Sequence, residues 1–334
     1  MTSIDTDKAG TGATSGPSAA ESAEAFAALR TEIGKAVVGN DNAVMYLVLA
    51  LLCRGHVLLE GVPGVAKTLL VRALATALDL QHSRVQFTPD LMPADVTGSQ
   101  IYDPHSAEFT FRDGPVFTNL LLADEINRTP PKTQSALLES MEERQVSVDG
   151  RARPLPDPFV VVATQNPIEQ EGTYPLPEAQ LDRFLFKVDI QLPDRDDEFR
   201  VLQRHASGFD PRDLAGAGLR PVAGPAHIAA ARSAIADITV RPEVLAYIVD
   251  LCRATRAAAA VQHGASTRGA TALMAAARAL AWLNGRGFVT PDDVKTVAVA
   301  VLRHRLQLRP EAELDGITGE QVMASLLLSI PVPV

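Results

Sequence analysis

Short, unbroken apolar runs recur along this chain, each closed by small, polar or charged residues. His56-Val57-Leu58-Leu59-Glu60, Leu120-Leu121-Leu122-Ala123 and Phe159-Val160-Val161-Val162-Ala163 are too short for helices and lack the alternation of a half-exposed strand. Such runs suit strands buried on both faces of a parallel sheet. Phe26 to Cys53 instead carries helical spacing, broken at Val37-Val38-Gly39-Asn40 into two helices. Ile101, Phe109 and Phe111 alternate around the turn-rich Asp103-Pro104-His105-Ser106, the pattern of a β-hairpin. A different composition begins at Leu192-Pro193-Asp194, and from about residue 220 the pattern is alanine- and leucine-rich and helical. Helix starts are expected at Asp194 (with Asp197), at Ser266 or Thr267 ahead of the run to Leu283, and at Thr290-Pro291. The first 23 residues, rich in Ser, Thr, Ala and Gly without periodic apolar positions, are expected to be disordered.

A 334-residue chain that is 46% hydrophobic can fill two cores, so two domains are expected. Asp5 and Asp7 leave no apolar segment for a signal peptide, and the longest apolar run, Val44 to Cys53, is too short to span a bilayer. Cys53 and Cys252 sit in apolar helical context and read as core thiols of a reducing, cytoplasmic protein. The seven histidines form no metal-ligand pattern, and His304, between Arg303 and Arg305, is expected to meet carbonyls at a helix C-terminus. A net charge of −9 and an aromatic share of 5% argue against nonspecific nucleic-acid binding, although a ring can hide a basic pore inside an acidic shell.

The chemistry concentrates where the apolar runs end. Gly61-Val62-Pro63-Gly64-Val65-Ala66-Lys67-Thr68 follows the first run and opens a helix, the strand–loop–helix context of a phosphate-binding loop. Backbone N–H groups of such a loop turn onto phosphates at the positive helix end. Lys67 would reach the β- and γ-phosphates, and the Thr68 hydroxyl would face Mg²⁺. Ala66 stands where the usual pattern has glycine. The second run ends in Asp124 and Glu125. Alone these read as a solvated turn, but downstream of a phosphate loop Asp124 would hold Mg²⁺ and Glu125 would act as general base. The third run ends in Thr164, Gln165 and Asn166, either turn formers or groups for the γ-phosphate and attacking water. Arg183, in Leu181-Asp182-Arg183-Phe184, is either a surface ion-pair partner or an arginine that reaches a neighbour's site.

With these elements in this order, the chain resembles the AAA+ ATPases and, through longer strings, the MoxR family. The likeness covers about Ala25 to Leu308 and rests on GVPGVAKT, LLADEINRTPPKTQSALLESMEERQVSVDG, ATQNP, EGTYPLPEAQLDRF and GASTRGATALMAAARALAWLNGRGFVTPDDV. It implies an α/β fold: a P-loop NTPase (AAA+) core over 24–192, with a parallel sheet flanked by helices and β-hairpin inserts, then a linker and all-α lid over 193–334. It makes Lys67 and Thr68 the Walker A ligands, with Pro63, Val65, Ala66 and Leu69 completing the loop beside Gly61 and Gly64. Asp124 and Glu125 become the Walker B pair, Asn166 sensor 1, Arg183 the arginine finger and Arg268 sensor 2. MoxR relatives commonly have alanine at the position of Ala66. Val38 and Gly39 are candidates for the adenine pocket, and a second hairpin is expected over Gln145 to Arg153. Both hairpins would face a client in a central pore, unless they are ordinary surface hairpins. The resemblance implies ATP and Mg²⁺, a homo-hexamer, and a protein client reached with a von Willebrand factor A domain partner. A metal-chelatase motor subunit, a nucleotide-gated binding module with little hydrolysis, and a DNA-translocating helicase are the alternative readings.

Overall fold

The computed structural model describes residues 16–105, 107–148, 150–166 and 172–333. Residues 1–15, Ser106, Asp149, Pro167 and Glu171, on which some expectations fell, lie outside them. Two helices come first, α1 (Ala19–Ile33) and α2 (Asp41–Leu52), followed by β1 (Val57–Glu60), α3 (Lys67–Ala77) and β2 (His82–Gln86). The short α4 (Pro93–Thr97) leads into a hairpin of β3 (Gly98–Asp103) and β4 (Glu108–Asp113). Then come β5 (Leu120–Asp124), α5 (Pro131–Glu143), a second hairpin of β6 (Gln145–Val148) and β7 (Arg151–Pro154), β8 (Val160–Gln165), α6 (Glu178–Leu181) and β9 (Phe186–Asp189). The remainder is mainly helical: α7 (Arg195–Ala206), α8 (Pro225–Ala236), α9 (Pro242–Ala257), β10 (Val261–His263), α10 (Thr267–Leu283), α11 (Pro291–Leu302), β11 (Gln307–Leu308), α12 (Pro310–Leu314) and α13 (Gly319–Ser329).

The fold is α/β. Its sheet has the order β2-β5-β8-β1-β9, and every pairing is parallel. Successive strand residues point to opposite faces, and here both faces are covered. Val57, Leu59, Leu120, Leu122, Val160 and Val162 pack on one side, and Leu58, Leu121, Ala123, Val161 and Ala163 on the other. The apolar runs show no alternation because neither face meets water.

Two expectations need correction. α1 begins at Ala19, within the stretch expected to be disordered, because Ser18 and Glu21 form a reciprocal capping box that satisfies both end amides. The two cores are divided by the sheet rather than by the domains. One apolar cluster runs from a sheet face through α1, α2 and α3 into the C-terminal helices, where Phe26 meets Trp282 edge to face at 5.7 Å. The other lies beneath α4, α5 and the second hairpin.

Basic residues after α11 dock the C-terminal helices onto β9 and the loop before it. Arg303 pairs with Asp189, Arg305 bonds Asp182 and the carbonyls of Phe184 and Leu185, and His304 Nε2 donates to Phe184 O at 2.9 Å. The expected helix-end contact reduces to Arg305 on Val301 O; the other acceptors belong to the core.

His56 ties three core elements together. Its Nε2 donates to Met141 O of α5 at 3.1 Å, and its Nδ1 accepts the Val161 amide of β8 at 2.9 Å. Burial pushes the imidazole down to about 4, and burial also holds His304 well below the usual histidine range. The unfolded chain therefore takes up protons at both below about pH 6.5 that the folded chain refuses. Their contribution to stability is whole above that pH and is lost on acidification toward the folded value. Melting between pH 7.5 and pH 5.0 is predicted to lower Tm by roughly 5 °C. A Tm unchanged over that interval would mean that these imidazoles are not held neutral.

Candidate functional site

β1, β5 and β8 end at one level, so the loops after them converge. Leu58 lies opposite Ala163, Ala123 opposite the same Ala163, and Gln86 opposite Asp124. At this carboxyl edge lies a cavity of about 600 Å³, lined by Pro63, Gly64, Val65, Ala66, Lys67, Thr68 and Leu69, by Asp124 and Glu125, by Thr164 and Asn166, and by Val38. Crevices of this kind, outside the carboxyl ends of parallel strands, are where α/β proteins bind ligands.

The loop is built for an anion. Gly64 (φ +89°) and Ala66 (φ +60°) adopt left-handed conformations, which turns successive amides to one side. Ala66 occupies the position that usually needs glycine, with alanine's small steric cost. No side chain caps α3, so its first-turn amides at Lys67, Thr68 and Leu69 are available to a phosphate. Lys67 Nζ donates to Gly61 O at 2.5 Å, and burial lowers its proton affinity while Asp124, Glu125 and Glu60 oppose that shift.

The carboxylates are held from two sides. Thr164 Oγ1 donates to Asp124 Oδ1 at 2.6 Å and accepts the Glu125 amide at 2.9 Å. Glu125 has φ +57°, strain that an acidic residue carries only where surrounding contacts enforce it. From β2, Arg84 Nη2 meets Asp124 Oδ2 at 2.7 Å, and Gln86 Nε2 donates to Glu125 Oε2 at 2.7 Å. Arg128 adds an ion pair to Glu125 at 3.2 Å. Sequence reasoning missed Arg84 and Gln86. Their signal was the two-residue spacing that puts both on one face of a strand ending beside β5.

α7 supplies Val201, Arg204 and His205 to the far end of the cavity, with Phe209 beyond it. Beside them, Ala36, Val37 and Val38 form an apolar wall that suits a nucleobase. Gly39 lies just off the lining. Its φ of +78° favours glycine, and a side chain there would displace the Asp197 carboxylate. Gly61 is likewise absent from the lining and contributes its carbonyl to Lys67.

Arg183 and Arg268 do not join this cavity. Arg183 precedes β9 and therefore sits at the opposite, amino-terminal edge of the sheet, a strand length of about 13 Å away. There Arg183 Nε donates to Glu142 Oε2 at 2.8 Å, while Arg268 reaches Glu142 Oε1 at 3.4 Å and Asp182 Oδ2 at 3.5 Å. Arg268, expected to contact the γ-phosphate, does not line its own chain's cavity: Ser266 caps α10 beside the loop before β9, not beside the phosphate loop.

Thr68 and Asp124 supply hard oxygens on one side of the cavity, the donor type that Mg²⁺ takes together with water and phosphate. Among the described residues no cluster of three or more His, Cys, Asp or Glu could hold a metal unaided. A parallel sheet, an uncapped phosphate loop after β1 and an Asp-Glu pair at the end of β5, one strand removed across β8, define a P-loop ATPase with a helical lid. Residues 56–186 match the ATPase family associated with various cellular activities (AAA), and residues 253–326 match the AAA lid domain. An uncharacterised protein of Bacillus subtilis (strain 168), YeaC, is 46% identical over 302 residues, covering 90% of this chain and 93% of its own. Chaperone MoxR1 of Mycobacterium tuberculosis (strain ATCC 25618 / H37Rv) is 44% identical over 311 residues, covering 90% and 81%. The crystal structure of a Cytophaga hutchinsonii protein, provisionally assigned as an ATPase, superposes with a TM-score of 0.87 at 40% identity over 95% of this chain and 97% of that one. The chain belongs to the MoxR family of AAA+ ATPases.

Thr164→Val keeps the volume but removes the hydroxyl shared by Asp124 and the Glu125 amide. Nucleotide binding should persist, while turnover falls at least roughly tenfold as Glu125 loses its position. Wild-type turnover in this variant, measured as phosphate release, would show that the hydroxyl does not position the carboxylates.

Proposed function

We propose that this protein hydrolyses ATP at sites shared between subunits of a ring and uses the cycle to remodel a protein client. The observation that carries this reading is the placement of Arg183 and Arg268 on Glu142, at the edge of the sheet away from their own phosphate loop. Two arginines on one rim and a phosphate loop on the other make complementary halves of a site that a neighbouring copy would complete.

In this scheme Lys67 and the loop amides hold the β- and γ-phosphates. Glu125 takes a proton from a water aligned by Asn166. That water's oxygen bonds to the γ-phosphorus as the β–γ bridging bond breaks, and ADP leaves with the bridging oxygen. Thr68 and Asp124 would hold Mg²⁺, which neutralises phosphate charge when bound. Arg183 and Arg268 of the adjoining copy stabilise charge developing on the transferred group.

Exposed apolar residues on α7, Phe199 and Leu202, support assembly, since a monomer leaves them in water. On the first hairpin Ile101, Tyr102 and Phe109 are also exposed, with Tyr102 and Phe109 paired at 5.2 Å, and Arg153 of the second hairpin lies 4.0 Å over the Phe111 ring. Braced together, the hairpins offer an apolar tip suited to a client chain. Work with a von Willebrand factor A domain partner is part of the same proposal and rests on the family likeness.

Specific ATPase activity should rise with protein concentration until the ring is populated, and Glu125→Gln should bind ATP with turnover reduced by about 10²-fold or more. A rate per chain that is independent of concentration would contradict the shared site.

A further inference from the structure

A second cavity, of about 530 Å³, opens at the amino-terminal edge of the sheet, between core and lid. Leu52 and Arg54 at the end of α2, Asp157 ahead of β8, Arg232 on α8, and Met274 and Arg278 on α10 line it. The spacing along α10 puts Met274 and Arg278 on one stripe, four residues apart, so the helix turns both toward this space.

Charge in this region is unbalanced. Arg54, Arg232 and Arg278 line the cavity, Arg144 stands behind them with Nη2 on Arg54 O at 2.7 Å, and Asp157 is the one carboxylate among the lining residues. Arg232, whose side chain is only 10% exposed, is committed: it bonds Asp157 at 2.7 Å and Leu51 O at 2.7 Å, where it caps the C-terminal end of α2. Arg54 reaches Asp157 only at 3.5 Å. Arg278 has a buried Nε without a hydrogen-bond partner among the described residues. Burial, followed by the charges of Arg54 and Arg232, lowers the proton affinity of Arg144, which marks the crowding of like charge.

A buried guanidinium N–H such as that of Arg278 Nε is costly without an acceptor. An excess of planar donors facing a pocket large enough for a small molecule fits an oxyanion gripped bidentately. We infer that this cavity binds a diphosphate-class anion, through Arg54 and Arg278 with Arg232 behind them, at a site separate from the phosphate loop. Leu52 and Met274 provide an apolar wall, so the anion can come as bare pyrophosphate or as the diphosphate end of a nucleotide. Because the donors come from α2 on the core and from α8 and α10 on the lid, an occupant would tie the two together.

The test uses full-length protein carrying Lys67→Ala, which weakens the phosphate loop, titrated calorimetrically with pyrophosphate and with ADP. Saturable binding of either that falls at least roughly tenfold when Arg278→Gln or Arg54→Gln is added is the expected result. Equal affinity for both ligands would identify the bare diphosphate as sufficient, and tighter ADP binding would show that the apolar wall seats a nucleoside. Arg54 is half exposed, so Arg54→Gln serves if Arg278→Gln does not fold. No saturable binding, or binding that survives both arginine substitutions and so belongs to the weakened phosphate loop, would overturn the proposal.

Discussion

The in-register parallel pairing of β8 with β1 and β5 is the constraint on which the remaining architecture depends. Backbone hydrogen bonds fix where each strand ends, and the strand ends fix where the phosphate loop, the acidic pair and Thr164 stand relative to one another. One step of slip would exchange the two faces of a strand and send Leu58 or Val161 into the wrong core. Both faces are apolar, so each strand needs cover on two sides. That requirement explains why lid helices share the core of the sheet, as with Trp282 on Phe26.

The same pairing divides chemistry between the two edges. Carboxyl ends of the strands bear the uncapped helix start and the carboxylates, whereas the loop before β9 bears Arg183 at the amino edge. Lid position is coupled to that second edge, where Arg305 grips Asp182 and Phe184 O and Arg268 touches Asp182 and Glu142, and also to the carboxyl end of β9, where Arg303 grips Asp189. α7 touches the first edge, where Arg204 bonds the carbonyls of Gly34 and Lys35 close to the apolar wall. A shift of the lid would therefore be felt both by the cavity at the carboxyl edge and by Arg183 and Arg268 at the amino edge.

Much of this was legible in the chain. The unbroken runs gave the buried strands, the caps at Asp194, Ser266 and Thr290 gave helix starts that the structure shows, and the turn at Asp103 gave the first hairpin. Less legible were features that depend on contacts between distant segments. Arg84 and Gln86 sit on a strand whose polar residues resemble an ordinary exposed edge, and only the pairing of β2 with β5 brings them to Asp124 and Glu125. Glu142 carried no signal, because its importance comes from being met by Arg183 and Arg268 from two other segments. Gly39 was expected at the adenine pocket from its place in the break between two helices; it lies between the lining residues Val38 and Asn40, with φ +78° and the Asp197 carboxylate close by. The Ser18–Glu21 box was local and readable, and was masked by the composition of the residues before it.

The central claim is that one chain's phosphate loop works with another chain's arginines. The most direct measurement mixes two variants that each lack one half: Lys67→Ala, with arginines intact, and Arg183→Ala, with its phosphate loop intact. Each alone should be nearly inactive, and mixing them before assembly should restore ATP hydrolysis above the sum of the two, because mixed interfaces contain one complete site. If Arg183→Ala alone hydrolyses ATP at the wild-type rate and mixing adds nothing, the site is contained within a single chain and the account is wrong.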